Sequence, residues 1–226
     1  MSRGPEMVDY RAVVERLRRR AEADPSRIAE GRAREQEAIC RATDRYLEQW
    51  GVPERIRSRT EDYDGRHEAW QYVDQWRRPP SPKNILILAG AKGTGKSLAA
   101  GYWLTMVAAE LAGRSDPPRS QPRRWYHTVD LARVSMYEGD AMDSLAKVPH
   151  LVVDDLGAEY QDVRGALQSR LDWLIEQRHA RMKRTVITTN LNAKDFAARY
   201  GERIIDRLRE SGRWYGLSGK SMRGKG

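Results

Sequence analysis

"ILILAGAKGTGKSLAA", residues 85 to 100, runs five apolar residues into a glycine-rich turn that closes on a lysine and a serine. The spacing Gly90-x-x-x-x-Gly95-Lys96-Ser97 falls between a run that reads as a buried strand and a run that reads as a helix. Glycine accepts backbone angles that other residues resist. With Gly90, Gly93 and Gly95 in place, the loop Gly90, Ala91, Lys92, Gly93, Thr94, Gly95 can turn successive N–H groups inward around phosphate oxygens. The helix that starts with Lys96, Ser97 and Leu98 adds the partial positive charge of its N-terminus. Lys96 is placed to reach the β and γ phosphates of a nucleoside triphosphate, and the Ser97 hydroxyl to hold magnesium. The expected cofactors are ATP and Mg2+.

Hydrolysis needs a metal-facing acid and something to activate water. "LVVDDLGAE" (151–159) ends an apolar strand in Asp154 and Asp155, with Asp154 lying 57 positions after Ser97. The first carboxylate would face the magnesium, and the second would orient or deprotonate the attacking water. Glu159 is expected to cap or solvate the turn that follows. "VITTN" (186–190) ends in Asn190, which can help position that water if its strand lies between those carrying Lys96 and Asp155. Arg203 and Arg207, four apart on an expected helix, share one face and suit an arginine finger reaching a neighbouring subunit's nucleotide.

The 226 residues suffice for one sizeable domain plus an appendage. Apolar residues make up 39% and charged residues 32%, and no apolar run approaches the roughly 20 residues that cross a bilayer. The N-terminus has no apolar signal core, so a cytoplasmic protein without membrane association is expected. The single cysteine, Cys40, excludes an internal disulfide and a thiolate zinc cluster, and is expected to pack within a helix. Lysine and arginine exceed aspartate and glutamate by 18 to 16 before Asn84 and by 23 to 16 from Asn84 onward, which together make the net charge of +9. The second part therefore carries the surplus that would meet an acidic partner such as DNA. Within it, Arg114, Arg119, Arg123 and Arg124 stand in one polar stretch, "GRSDPPRSQPRR" (113–124).

Helices are expected over 6–23 and from Asp24 to about Gln49, a short helical turn and a helix over 53–78, and a stiff link "PPSPK" at 79–83. From residue 84 strands and helices alternate, with strands at 84–89, 124–128, 150–155, 184–190 and 213–217. Apolar strands alternating with helices predict a parallel sheet covered on both faces. The expected division is thus a helical segment (1–50), a helical lead-in and linker (51–83) and an α/β nucleotide-binding domain (84–226).

In this order the motifs resemble the AAA+ ATPases, and within them the family shared by DnaC-type helicase loaders and IstB-type transposition ATPases. "GVPERIRSRT" (51–60) and "EAWQYVDQWRR" (68–78) look like that family's lead-in, "GAKGTGKS" its Walker A, "LVVDDLGAE" its Walker B, "VITTN" its sensor 1 and "YGERIIDRLRE" (200–210) its arginine-finger helix. "LSGKSMR" (217–223) is similar to its closing motif. The resemblance implies a P-loop AAA+ three-layer α-β-α fold with a parallel five-stranded sheet. It makes Arg207 the finger and Arg203 a second phosphate-sensing arginine. It also implies a protein monomeric when free that assembles into a homo-oligomer on ATP and DNA, a partner-binding role for residues 1–50, a replicative DNA helicase as partner, and contact with single-stranded DNA.

Nine residues follow the last expected strand, so no C-terminal helical lid is expected and a sensor-2 arginine has a home only if Arg223 folds back. Weak hydrolysis unless a partner completes the site follows from that departure. The reading is a DnaC-like helicase loader. Its rivals are an IstB-like ATPase that binds duplex DNA and recruits a transposase, and a nucleotide-gated adaptor with negligible turnover.

Overall fold

The computed structural model describes residues 25–59, 66–78, 83–116, 122–137, 139–159 and 164–219. The expected helix over 6–23, Arg119 and Arg223 lie outside them. Among the described residues three helices come first, α1 (Pro25–Gln49), α2 (Glu54–Arg57) and α3 (Glu68–Arg77). Strands and helices then alternate as β1 (Ile85–Gly90), α4 (Lys96–Ala112), β2 (Trp125–His127), α5 (Thr128–Tyr137), α6 (Gly139–Lys147), β3 (His150–Leu156), α7 (Arg164–Ala180), β4 (Arg184–Thr189), α8 (Ala193–Tyr200), α9 (Glu202–Ser211) and β5 (Gly212–Leu217). The five strands form one wholly parallel sheet in the order β2-β3-β4-β1-β5.

Side chains alternate across a strand, so a central parallel strand must be apolar on both faces. β1 follows this rule. Leu86 and Leu88 enter a buried cluster with Trp103 and Leu104 of α4, while Ile85 and Ile87 enter another with α5, α6, α7, α8 and α9 through residues such as Leu131, Leu145, Leu171, Phe196 and Ile204. The result is the expected three-layer α-β-α arrangement with a five-stranded parallel sheet and an N-terminal helix ahead of it.

The first cluster also contains Tyr46 and Leu47 from the end of α1, Trp50 just beyond it, and Trp70, Val73 and Trp76 from α3. Each such side chain, withdrawn from water, contributes about 1.5–3 kcal/mol. The Trp50 carbonyl accepts the N–H groups of Arg124 (3.0 Å) and Trp125 (2.9 Å), which fastens the end of α1 to the edge strand β2. In contrast, Glu30 to Ala38 of α1 are exposed on every side, and Cys40 is exposed rather than packed. None of the described helices is long and apolar enough to cross a membrane.

A buried arginine holds the opposite end of the sheet from the glycine loop. Arg178 of α7 donates to the carbonyls of Leu145, Val148 and Arg184 and to Thr185 Oγ1, at 2.5–2.9 Å.

Candidate nucleotide-binding and hydrolysis site

In a parallel sheet the strand ends that carry loops to the following helices share one edge, and ligands collect there. The loop from Gly90 to Gly95 leaves the end of β1, and Gly93 (φ 87°) and Gly95 (φ 79°) take the left-handed angles its tight turn requires. α4 starts at Lys96 with no side-chain cap and no acid in its first turn, so its first N–H groups face the cavity without competition from a carboxylate. Thr94 closes the loop by donating to the Ala91 carbonyl at 2.9 Å. Lys96 is 6% exposed, and its Nζ donates to the carbonyls of Gly90 and Ala91, both at 2.7 Å, and to Asn190 Oδ1 at 3.0 Å.

Two adjacent residues on a regular strand point to opposite faces, yet Asp154 and Asp155 both serve this edge. The reason is local. Asp155 sits at φ 60°, and the β3–β4 register shifts between Val153 and Leu156, so the chain turns at the second aspartate. Aspartate tolerates the left-handed region better than most residues. Asp154, 1% exposed, accepts at one oxygen from Ser97 Oγ (2.7 Å) and Thr188 Oγ1 (2.6 Å). Thr188 Oγ1 in turn accepts the Asp155 N–H at 2.8 Å. Asn190 Nδ2 donates to Asp155 Oδ1 at 2.7 Å.

β4 lies between β1 and β3, so Asn190 stands between Lys96 and Asp155 and bonds to both. These groups border a cavity of about 350 Å³ that Arg55, Ile56, Arg59 and His127 also line. Arg55, Ile56 and Arg59 fall within the lead-in stretch 51–60, to which no site role was attached, and His127 is in no motif. Arg55 and Ile56 belong to α2 and Arg59 follows it, so all three reach the site through a fold-back that sequence spacing does not encode; His127 ends the three-residue strand β2. Thr188 stands two positions before Asn190 in the same run, and period-two alternation was the available signal for it.

Glu159 is buried rather than solvated. Its carboxylate accepts from the Gly157 N–H (3.0 Å), Arg199 Nε (2.7 Å) and the Tyr200 hydroxyl (2.7 Å), so it caps the turn and ties it to α8.

The arginines divide into groups. Arg203 and Arg207 of α9 do not line this chain's cavity, and both pair with Asp172 of α7. Arg207 also pairs with Glu176 and is 21% exposed, whereas Arg203 lies 3.3 Å from Asp172 and is 74% exposed. Of the arginines expected on DNA, Arg114 is exposed. Arg123 lies over the Tyr126 ring and pairs with Asp130 at 2.8 Å. Arg124 corrects the sequence reading: it is 3% exposed, stacked 4.0 Å over the Trp50 ring and 3.1 Å from His150 Nδ1, so its charge faces the core and not a partner.

A parallel sheet in the order β2-β3-β4-β1-β5, with a glycine loop and lysine after β1, paired carboxylates after β3 and an amide after β4, is the AAA+ form of the P-loop fold. No protein-family model matches the chain, and no curated protein matches it. Solved structures do. The chain has the fold of the DnaC-type AAA+ proteins: it is similar to the DnaC helicase loader, with 23% identity and a TM-score of 0.56 over 74% of this chain and 100% of that one. It is similar to DnaI at 25% identity and a TM-score of 0.50, over 71% of this chain and 86% of that one. It also resembles the replication initiator DnaA bound to AMPPCP and single-stranded DNA, at 15% identity and a TM-score of 0.55, over 71% of this chain and half of that one.

Proposed function

We propose that this protein is an ATP-dependent DNA replication accessory protein, a DnaC-like helicase loader that binds and hydrolyses ATP where subunits meet. The observation that carries the reading is the hydrogen-bonded series Lys96–Asn190–Asp155 across the ends of β1, β4 and β3, with Ser97 on Asp154 beside it. In this reading the N–H groups from Ala91 to Leu98 and Lys96 hold the triphosphate. Ser97 and Asp154 fit a hard divalent cation, since both present oxygen and Asp154 is an acid buried on hydroxyl donors. When bound there, Mg2+ neutralises phosphate charge.

Asp155 then orients a water and takes its proton. The water oxygen bonds to the γ-phosphorus as the bond from phosphorus to the bridging oxygen breaks, leaving ADP and inorganic phosphate. Asn190 holds Asp155 in place for this.

The DnaC and DnaI likenesses support the choice of a loader among replication ATPases. The further assignments belong to the same proposal: residues 1–50 engage a replicative helicase, Arg207 with Arg203 beside it reaches the nucleotide of a neighbouring copy, and basic groups such as Arg114 meet single-stranded DNA.

The test is affinity capture from the source cell's lysate with ATP present, the whole chain beside a chain shortened to begin at Ile39. That cut takes away Glu30 to Ala38, all exposed, and leaves Tyr46, Leu47 and Trp50 in the core, whereas a cut at Ser81 would strip Trp50, Trp70 and Trp76 from it. Recovery of a replicative helicase by the whole chain and its loss with the shortened one is the expected result. Recovery of a transposase instead would leave the ATPase chemistry and move the biology to transposition.

A further inference from the structure

Two acids on α7 face two arginines on α9. Asp172 and Glu176 are four residues apart on one helix, and Arg203 and Arg207 four apart on the other, so each pair lies along one face. Asp172 takes both arginines, Arg203 Nε at one oxygen (3.3 Å) and Arg207 Nη1 at the other, while Glu176 takes Arg207 Nη2. The two arginines are thereby left in different states. Arg203 is 74% exposed and meets a single carboxylate oxygen. Arg207 is 21% exposed, and both of its terminal nitrogens are turned onto carboxylates of its own chain. Neither Asp172 nor Glu176 lines the nucleotide cavity of this chain.

A guanidinium grips phosphate through a fork of parallel N–H groups, and the terminal nitrogens that would supply the fork are the ones already engaged. A triphosphate brought to Arg207 as it stands would also meet two carboxylates, and like charges at that range repel. We propose that Asp172 and Glu176 are a latch that withholds Arg207 in the free chain and yields it only to the phosphates of a neighbouring copy's nucleotide. The proposal rests on the reading of Arg207 as the residue that reaches a neighbouring site. Phosphate wins the exchange because it offers more charge and more acceptor oxygens in a place that docking clears of water. Until then the two partly exposed ion pairs keep the released arginine at about one part in ten, which weakens the attraction between copies about tenfold. An empty neighbour gains no finger, so the latch ties assembly to nucleotide loading.

The test is phosphate release per chain at saturating ATP, measured over a range of protein concentrations. Turnover of the parent should climb to a plateau as copies meet. The variant Asp172→Asn with Glu176→Gln keeps the shape of both side chains and removes their charge, and it should reach half of its plateau at about one tenth of the parent's concentration. Glu176→Gln alone, at a side chain 43% exposed, should shift the curve about threefold and keeps the test open should the double variant unfold. Adding Arg207→Ala to either variant should abolish the gain, which a general loss of negative charge would leave in place. A half-plateau at the parent's concentration or above it, or a gain that survives Arg207→Ala, overturns the latch and leaves the ATPase reading intact. An Arg207→Ala chain whose curve matches the parent's overturns the reading of Arg207 and this inference with it.

Discussion

Lys96 spends its three N–H donors on the loop's own carbonyls and on Asn190, so the charge that would meet phosphate also sets the loop's shape. Lys96→Ala should therefore weaken ATP binding by about 10- to 100-fold, the worth of charge-assisted hydrogen bonds. Asp155→Asn should bind ATP nearly as the parent does and lose turnover by about 100-fold or more. Fluorescence titration and phosphate release check the pair; equal ATP affinity in Lys96→Ala would contradict the phosphate-loop assignment. Away from the site, Arg178→Met should lower stability by about 3 kcal/mol or more, because three buried carbonyls lose their donor at once, and a urea melt measures it. The sequence disclosed Lys96, Ser97, Asp154, Asp155 and Asn190 because each ends or begins an element that its own neighbours announce. It hid His127, whose relation to Asp154 exists only in the β2–β3 register, and it misplaced Arg124, a charge in a polar stretch whose partner, Trp50, is distant in the chain.

Among the elements, continuous apolar runs made β1, β3 and β4 legible, and alternation with helices made the sheet parallel. What α1 packs against was not legible, since its apolar residues are few and only the last two turns use them: Thr43, Tyr46 and Leu47 are buried, as is Trp50 just beyond its end, while Glu30 to Ala38 touch solvent. Trp50→Ala should cost about 3–5 kcal/mol, since it opens a cavity and removes the ring beneath Arg124, and thermal unfolding should show it. β3 begins with a titrating group. Burial, with Arg124, Arg178, Arg184 and Lys183 nearby, pushes the His150 imidazole down to about 4. In the unfolded chain it titrates near about 6.5. The unfolded state thus takes the proton first, so this contribution to stability is whole above about 6.5 and is lost as pH falls toward about 4. Between pH 7 and 4.5 the loss amounts to about 2 kcal/mol, and His150→Gln should reduce the drop in urea midpoint over that interval.

At the scale of the whole molecule, Arg203 and Arg207 stand on α9 while the cavity lies beneath the loop after β1, so in the proposed assembly one copy's arginines complete another copy's site. Arg207→Ala and Asp155→Asn should each be nearly inactive alone, and an equal mixture should recover up to about a quarter of parental turnover, because a random pairing places an intact finger against an intact carboxylate in one interface of four. A mixture as inactive as its parts would leave Arg207 as the partner of Asp172 and Glu176 only. One contact joins the first residue of the phosphate loop to the last strand: a side chain at Gly90, which sits at φ 151°, would place its Cβ 2.5 Å from the Leu217 carbonyl. Gly90 thus joins the start of the glycine-rich loop to the point where the chain leaves the sheet. A survey of variants scored by ATP binding would credit Gly90 to phosphate recognition, when the first casualty of a methyl group there is the seam between β1 and β5. Melting curves taken beside the binding data would tell a broken seam from a lost ligand contact.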